Sequence, residues 1–368
     1  MQQARPSHYC RAAALNPYPL QPEPRPLQPN MHMTDALLSP AVGAAMCCAS
    51  AGCVGYAAKR LRLDGSGDKK MPILAVMGAF VFAAQMVNFA IPGTGSSGHI
   101  GGGVLLAGLV GGPPALLSIS VVLVIQALFF ADGGLLALGC NIFNMGVVPA
   151  LVCYPLIFRP IIKKSATSRR ITIASVVASI AALQLGAFGV VAQTHLSGIS
   201  GLPFSTFAML MQPIHLAIGV IEGIVTAAIL CFVHKMRPEI ISGAAEVAVN
   251  RGGAPMRNAI VAVAALTILV GGFLSHFASS RPDGLEWSIE KAVGGAGPEA
   301  QPGIQPKSAA IQEKIALMPG YDFKKAGEGA QEPAPVSGIS IAGFAGAALT
   351  FLLAIAAAFA ITRARKKW

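Results

Sequence analysis

Nine apolar segments, each near the length that crosses a lipid bilayer, occupy most of this chain. They run at approximately 36–58, 71–90, 100–116, 118–131, 141–158, 171–193, 207–234, 259–279 and 338–361. A helix needs roughly 20 apolar residues to cross the hydrocarbon layer. Lipid offers the backbone no hydrogen-bond partner, so each crossing segment must satisfy itself as a helix. The predicted fold class is therefore an all-α integral membrane protein with about nine transmembrane helices. Composition agrees: charged residues make up only 12% of the chain, against roughly 25% in soluble domains, and mean hydropathy is +0.62.

The net charge of +11 raises nucleic acid as a partner, but its distribution argues for a lipid bilayer. Basic residues gather in four short segments: Lys59, Arg60, Arg62, Lys69 and Lys70; Arg159, Lys163, Lys164, Arg169 and Arg170; Lys235, Arg237, Arg251 and Arg257; and Arg363, Arg365, Lys366 and Lys367. Nine spans with Met31 outside put all four in the cytoplasm, as the positive-inside rule asks. The alternate loops at 91–99, 132–140 and 194–206 contain no Lys or Arg. This orientation also leaves the C-terminus cytoplasmic.

Composition divides the chain into three parts. Residues 1–30 hold seven prolines and read as an irregular extension, since such repeats cannot form helix. Residues 31–250 read as a seven-span core. Residues 255–368 read as a two-span module enclosing a hydrophilic outer segment, 280–337, with a short helix expected at 308–317. The seven cysteines show no CxxC pair and read as small apolar residues rather than a zinc site or disulfide framework.

The topology brings two histidines to one face. His32 precedes the first span, and His99 ends the uncharged loop "NFAIPGTGSSGH" between the second and third. If the mature chain begins at Met31, His32 is its second residue. The Met31 amine, the next amide nitrogen and His32 Nδ1 could then form fused chelate rings round one ion. A nitrogen of His99 would complete a plane of the kind that suits Ni(II). The competing reading is a solvated histidine near a chain terminus. Further candidates are second-shell or pathway groups. Asp35 orients His32 or, better, caps the first helix. Asp132 sits in the "ADGG" turn and neutralises the ion or serves the turn. Ser97 lies in the Gly-Ser loop. Asn141 and Asn144 support the site or bond neighbouring helices. His215 and Glu222, seven apart on one helix, line an ion path or form an interhelical bond.

Four stretches then resemble a known family. "MHMTDALLSPAVGAAM", "VNFAIPGTGSSGHIGGG", "ALFFADGGLLALGCNIFNMGVV" and "HLAIGVIEGIVTAAIL" are similar, in order, to the signatures of the CbiM/NikM family. These are the substrate-binding components of energy-coupling-factor importers for cobalt and nickel. The resemblance spans roughly 31–235. It implies metal ligands at Met31, His32 and His99, and a transported Ni(II) or Co(II) ion rather than a resident cofactor. It also implies two kinds of partner: a transmembrane coupling subunit and cytoplasmic ATPase subunits. "SSRPDGLEWSIEKAVG", at 279–294, resembles the PDGLE-type module of these transporters, where Asp283, Glu286 and Glu290 funnel cations or simply form a solvated loop. Residues 1–30 depart from the family pattern, because a retained extension would abolish the Met31 amine. The mature chain is therefore expected to begin at Met31.

The chain has no G-x-x-x-x-G-K-[ST], nucleophile elbow or HExxH, so a P-loop ATPase is excluded and a transporter subunit, not an enzyme, is expected. Two alternatives stand beside this: a proton-coupled secondary metal transporter using His215 and Glu222, and a membrane protein of cobalamin synthesis.

Overall fold

The computed structural model of the chain describes residues 31–64, 67–241, 256–294, 303–323 and 338–363. The Pro-rich extension 1–30 and most of the polar break between core and module lie outside these residues.

The fold is all-helical apart from one two-residue hairpin. Its helices are α1 Pro40–Asp64, α2 Gly67–Gln85, α3 Gly103–Val110, α4 Gly112–Phe130, α5 Leu138–Ile142, α6 Arg159–Lys163, α7 Ser168–Ser197, α8 Phe204–Met236, α9 Met256–Ile268, α10 Gly284–Val293, α11 Ile304–Ile315 and α12 Gly338–Arg363. α5 and α6 are the ends of one rod, joined without a break by the wider π-helical turns of Phe143–Phe158, which accommodate Pro149 and Pro155. By length and composition, seven of the described helical stretches can cross a membrane. They are α1, α4, the α5–α6 rod, α7, α8, Ile260–Phe277 and Gly338–Ile361. Pro72–Gln85 is a shorter apolar helix.

The structure redraws the third and fourth expected spans. Segment 100–116 is not one helix: α3 has eight residues, about 12 Å at 1.5 Å per residue. It ends at Gly111, whose φ of +89° reverses the chain. α4 then restarts with Pro113 in its first turn, where the missing N–H is not needed. Segment 118–131 is the later part of that same helix. The helix expected at 308–317 appears as α11, four residues earlier at its start.

The core lies where α2, α3, α4, the α5–α6 rod and α7 meet, around Phe82, Leu105, Leu106, Leu116, Ile119 and Phe158, all less than 2% exposed. The module's α9 and α12 pack against α2, and α10 packs against α8. Elsewhere large apolar side chains are exposed, among them Leu156, Met209 and Phe359, as a lipid-facing surface requires. Gly43 is buried, and a Cβ there would stand 2.5 Å from the Leu136 side chain. The described cysteines are all free.

Candidate metal centre

Two short structures carry His32 and His99 to one place. β1 (Phe89–Ala90) pairs antiparallel with β2 (Ser97–Gly98), and this hairpin delivers His99 directly after its second strand. Gly101 and Gly102 follow. Their N–H groups donate to the two carboxylate oxygens of Glu222, at 2.7 and 3.2 Å. Gln85 Nε2 donates to the Gly101 carbonyl at 2.9 Å, and Gln126 Nε2 to Gln85 Oε1 at 2.8 Å. The His99 backbone is thus anchored from α8, α2 and α4.

The segment Met31–Met33 is held from the other side. Asn141 grips Met33 twice, accepting from its N–H at 3.2 Å and donating to its carbonyl at 3.1 Å. Asp132 takes the two groups before it. Oδ1 accepts from Met31 N at 2.8 Å, and Oδ2 lies 2.8 Å from His32 Nδ1. The turn that presents Asp132 depends on Gly133, at φ +76°. A Cβ there would stand 2.9 Å from the His32 Cβ and 2.8 Å from Asn141 Nδ2.

These supports bring His32 and His99 together with ring centroids 5.4 Å apart. Both face a cavity of about 100 Å³, whose lining also includes Met31, Asn144, His215 and Glu222. His32 is 2% exposed, and its Nε2 is buried with no hydrogen-bond partner among the described residues. His99 Nε2 lies 3.2 Å from the Met31 carbonyl and Nδ1 lies 3.3 Å from the Ile100 carbonyl. A neutral imidazole has one N–H, so only one of these contacts is a hydrogen bond at a time, and the other nitrogen keeps its lone pair. Burial, and then the neighbouring His32, push the His99 imidazole below its ordinary value, which keeps it neutral at pH 7. Burial alone would raise the Asp132 carboxyl. The adjacent His32, the His32 bond and the Tyr321 bond outweigh burial and hold it below the usual range.

The remaining candidates divide. Asp35 makes no hydrogen bond to His32 and does not cap α1. Its Oδ1 accepts from Ala137 N at 3.0 Å, while Ser39, immediately before Pro40, takes the Val42 N–H at 3.4 Å. Asp35 stands too far before the helix to cap it. Asn144 exchanges two hydrogen bonds with Gln193 of α7, at 2.8 and 3.1 Å. His215 Nδ1 bonds the Met211 carbonyl at 2.8 Å on its own helix. Ser97 faces the C-terminal module: its hydroxyl donates to the Arg281 carbonyl and its N–H to the Pro282 carbonyl, both at 2.8 Å. Asp283 is buried and caps α10 through Glu286 N at 2.8 Å. Burial, and then the Glu286 charge, push its carboxyl well above its ordinary value, so it does not behave as part of a solvated acidic funnel. His195 is exposed in the last turn of α7, which runs on to Ser197.

Sequence reasoning missed Tyr321, whose hydroxyl donates to Asp132 Oδ2 at 2.5 Å. It missed Gln85, Gln126 and Gln193 as well. Gln85 and Gln126 carried a readable signal, because an amide inside an apolar helix needs a partner. Among the described residues no three His, Cys, Asp or Glu side chains group as a metal site.

Known proteins resemble this chain in sequence. The family described as "Cobalt uptake substrate-specific transmembrane region", CbiM, matches residues 32–240, and the PDGLE domain matches 257–363. A protein of Archaeoglobus fulgidus assigned as a fused nickel transport protein, NikMN, is 30% identical over 90% of this chain and 98% of its own length. The fused nickel transport protein NikMN of Rhodobacter capsulatus is 32% identical over 58% of this chain and 64% of its own. The crystal structure of a transition metal transporter is 33% identical, covers 56% of this chain and 93% of that one, and superposes with a TM-score of 0.48. With its first match covering more than half the chain and its second most of the remainder, this protein belongs to the CbiM family and carries a PDGLE domain behind the CbiM region.

Proposed function

We propose that this chain is the metal-binding membrane component of an ATP-driven energy-coupling-factor importer, capturing Ni(II) or Co(II) at the outer face of the cytoplasmic membrane. The observation that carries the reading is the convergence of Met31, His32 and His99 on one cavity, with Asp132 bonded to both Met31 N and His32 Nδ1. Those are two of the three nitrogens that the chelate of this segment needs. Its Nδ1 mode requires His32 to exchange the carboxylate for the ion. The relatives' names support transport of nickel and, for a CbiM protein of Geobacter sulfurreducens, cobalt.

The chain itself supplies capture. ATP hydrolysis belongs to cytoplasmic partner subunits, reached through a transmembrane coupling subunit, because this sequence carries no P-loop. Met31 lies on the outside and the basic loops on the inside. The amine-chelate form of the site requires a chain that begins at Met31, without residues 1–30.

Metal analysis of the purified protein, with N-terminal sequencing, tests the reading. Wild type beginning at Met31 retains about one Ni(II) or Co(II) per chain, and His32→Ala and His99→Ala lose it. Retention by both variants, or a metal-loaded protein with residues 1–30 intact, would sink the proposed ligand set.

A further inference from the structure

Tyr321 lies 189 positions beyond Asp132 and belongs to the C-terminal module, yet its hydroxyl bonds the carboxylate that holds Met31 and His32. It is 5% exposed, and its ring stacks on Phe130 with centroids 4.9 Å apart and planes at 18°. Its neighbours pin it to the turn that carries Asp132. Leu317 and Met318 both donate their N–H groups to the Phe129 carbonyl at 3.0 Å. Gln312 Nε2 donates to the Ala127 carbonyl at 2.9 Å and to the Gly133 carbonyl at 2.5 Å. Tyr321 itself has φ +62°, directly after Gly320 at +64°. A bulky residue adopts that conformation only when its surroundings over-determine it.

We propose that Tyr321 is a positioning residue of the cargo site, so that the C-terminal module helps hold the carboxylate that bonds Met31 and His32. The proposal rests on the reading of Met31, His32 and His99 as cargo ligands. Asp132 has three donors: Met31 N on Oδ1, and His32 Nδ1 and Tyr321 OH on Oδ2. An ion that takes His32 Nδ1 removes that donor from Oδ2, whereas a metal-bound Met31 amine keeps N–H groups that still donate to Oδ1. The carboxylate is buried, and a buried carboxylate without partners is costly. The phenol is then the one donor left on Oδ2. In the empty protein the same bond fixes Asp132 in line with the two nitrogens. Tyr321→Phe removes the hydroxyl and keeps the stacked ring, which separates positioning from packing.

The test uses the full chain beginning at Met31, purified in detergent and titrated with NiCl2 alone. Wild type is compared with Tyr321→Phe, Asp132→Asn and the double variant. Loss of an outer-shell partner typically weakens metal binding about 10- to 100-fold, and that is the loss expected for Tyr321→Phe. The absorption spectrum of the bound Ni(II) stays that of wild type, because no ligand has changed. The double variant binds no more weakly than Asp132→Asn, because the hydroxyl acts through that carboxylate. Wild-type affinity in Tyr321→Phe, or losses that add in the double variant, would overturn the proposal. A second measurement needs no metal: thermal unfolding of the four empty proteins. Melting shifts smaller in the double variant than the sum of the singles support the hold on Asp132, and additive shifts overturn it. A wild type that binds neither Ni(II) nor Co(II) refutes the ligand reading instead, and the metal-free cycle still decides the Tyr321–Asp132 coupling.

Discussion

Replacing Asp132 with Asn changes one atom and tests how the two halves of the site are joined. The carboxylate meets three donors, at 2.8, 2.8 and 2.5 Å, on its two oxygens. An asparagine amide has one accepting oxygen, and its nitrogen only donates. Whichever way it turns, either Met31 N, or His32 together with Tyr321, faces an NH2 group instead of an acceptor. A buried hydrogen bond to a charged group contributes about 1.5–3 kcal/mol, and an unmet donor costs a similar amount. The empty protein should therefore lose about 2–4 kcal/mol of stability. Nickel affinity should fall roughly 10- to 100-fold, since outer-shell partners of metal-binding histidines carry effects of that size. Calorimetric titration of Ni(II) into the detergent-solubilised chain measures the second quantity, and its melting curve the first. Unchanged affinity would refute the reasoning. Tighter binding would refute it in a more informative way: the carboxylate would then be a competitor for the two nitrogens rather than their support.

Four further outcomes are expected. The His99 imidazole lies below its ordinary value near 6.5, so the unfolded chain takes up a proton first as pH falls. The stability of the empty fold should be fully present above pH 6.5 and decline below it. His99→Gln should flatten that decline in melting curves recorded between pH 7 and 5. Gly133→Ala puts a side chain at φ +76° and against both His32 and Asn141; it should cost about 1–3 kcal/mol and abolish retained metal on analysis. Glu222→Gln leaves one of the Gly101 and Gly102 N–H groups without an acceptor. It should lower the melting temperature and weaken metal binding through His99, whereas an unaltered affinity would detach Glu222 from the site. Ser97→Ala removes the hydroxyl that donates to the Arg281 carbonyl and, more weakly, to the Pro282 carbonyl, a loss of about 0.5–1.5 kcal/mol, and should leave Ni(II) affinity within a factor of two or so of wild type.

Much of the fold could be read directly because lipid makes few demands and makes them strongly. Apolar length and basic loops marked α1, the α5–α6 rod, α7, α8 and the two crossings of the C-terminal module. The failure came between residues 100 and 131, where hydropathy cannot say where a helix stops. There the local chain chemistry decided: Gly111 at φ +89° breaks the run, and Pro113 restarts it. The pair Gly111–Gly112 followed by Pro113–Pro114 was the available signal. Asp35 failed for a similar reason of position. Its residue type suits a cap, but Ser39 stands next to the helix and Asp35 does not.

The candidate site was readable only in the parts that residue type can spell. Histidines stand out in a chain with seven of them, and topology puts His32 and His99 on one face. Backbone nitrogens do not stand out at all, which is why Met31 entered through family resemblance and chelate geometry. The support round the site is still less visible, because it joins residues with no pattern between them: Asn141 to Met33, Glu222 to Gly101, and Tyr321 to Asp132. Each of these bonds crosses more than a hundred positions of sequence. A buried polar group in an apolar interior must find a partner somewhere, and only the folded chain shows where. That requirement also explains why the two regions of this protein are not independent. The carboxylate that holds the first residues of the CbiM region takes its third donor from the PDGLE domain, so a lesion in the module should be felt at the metal.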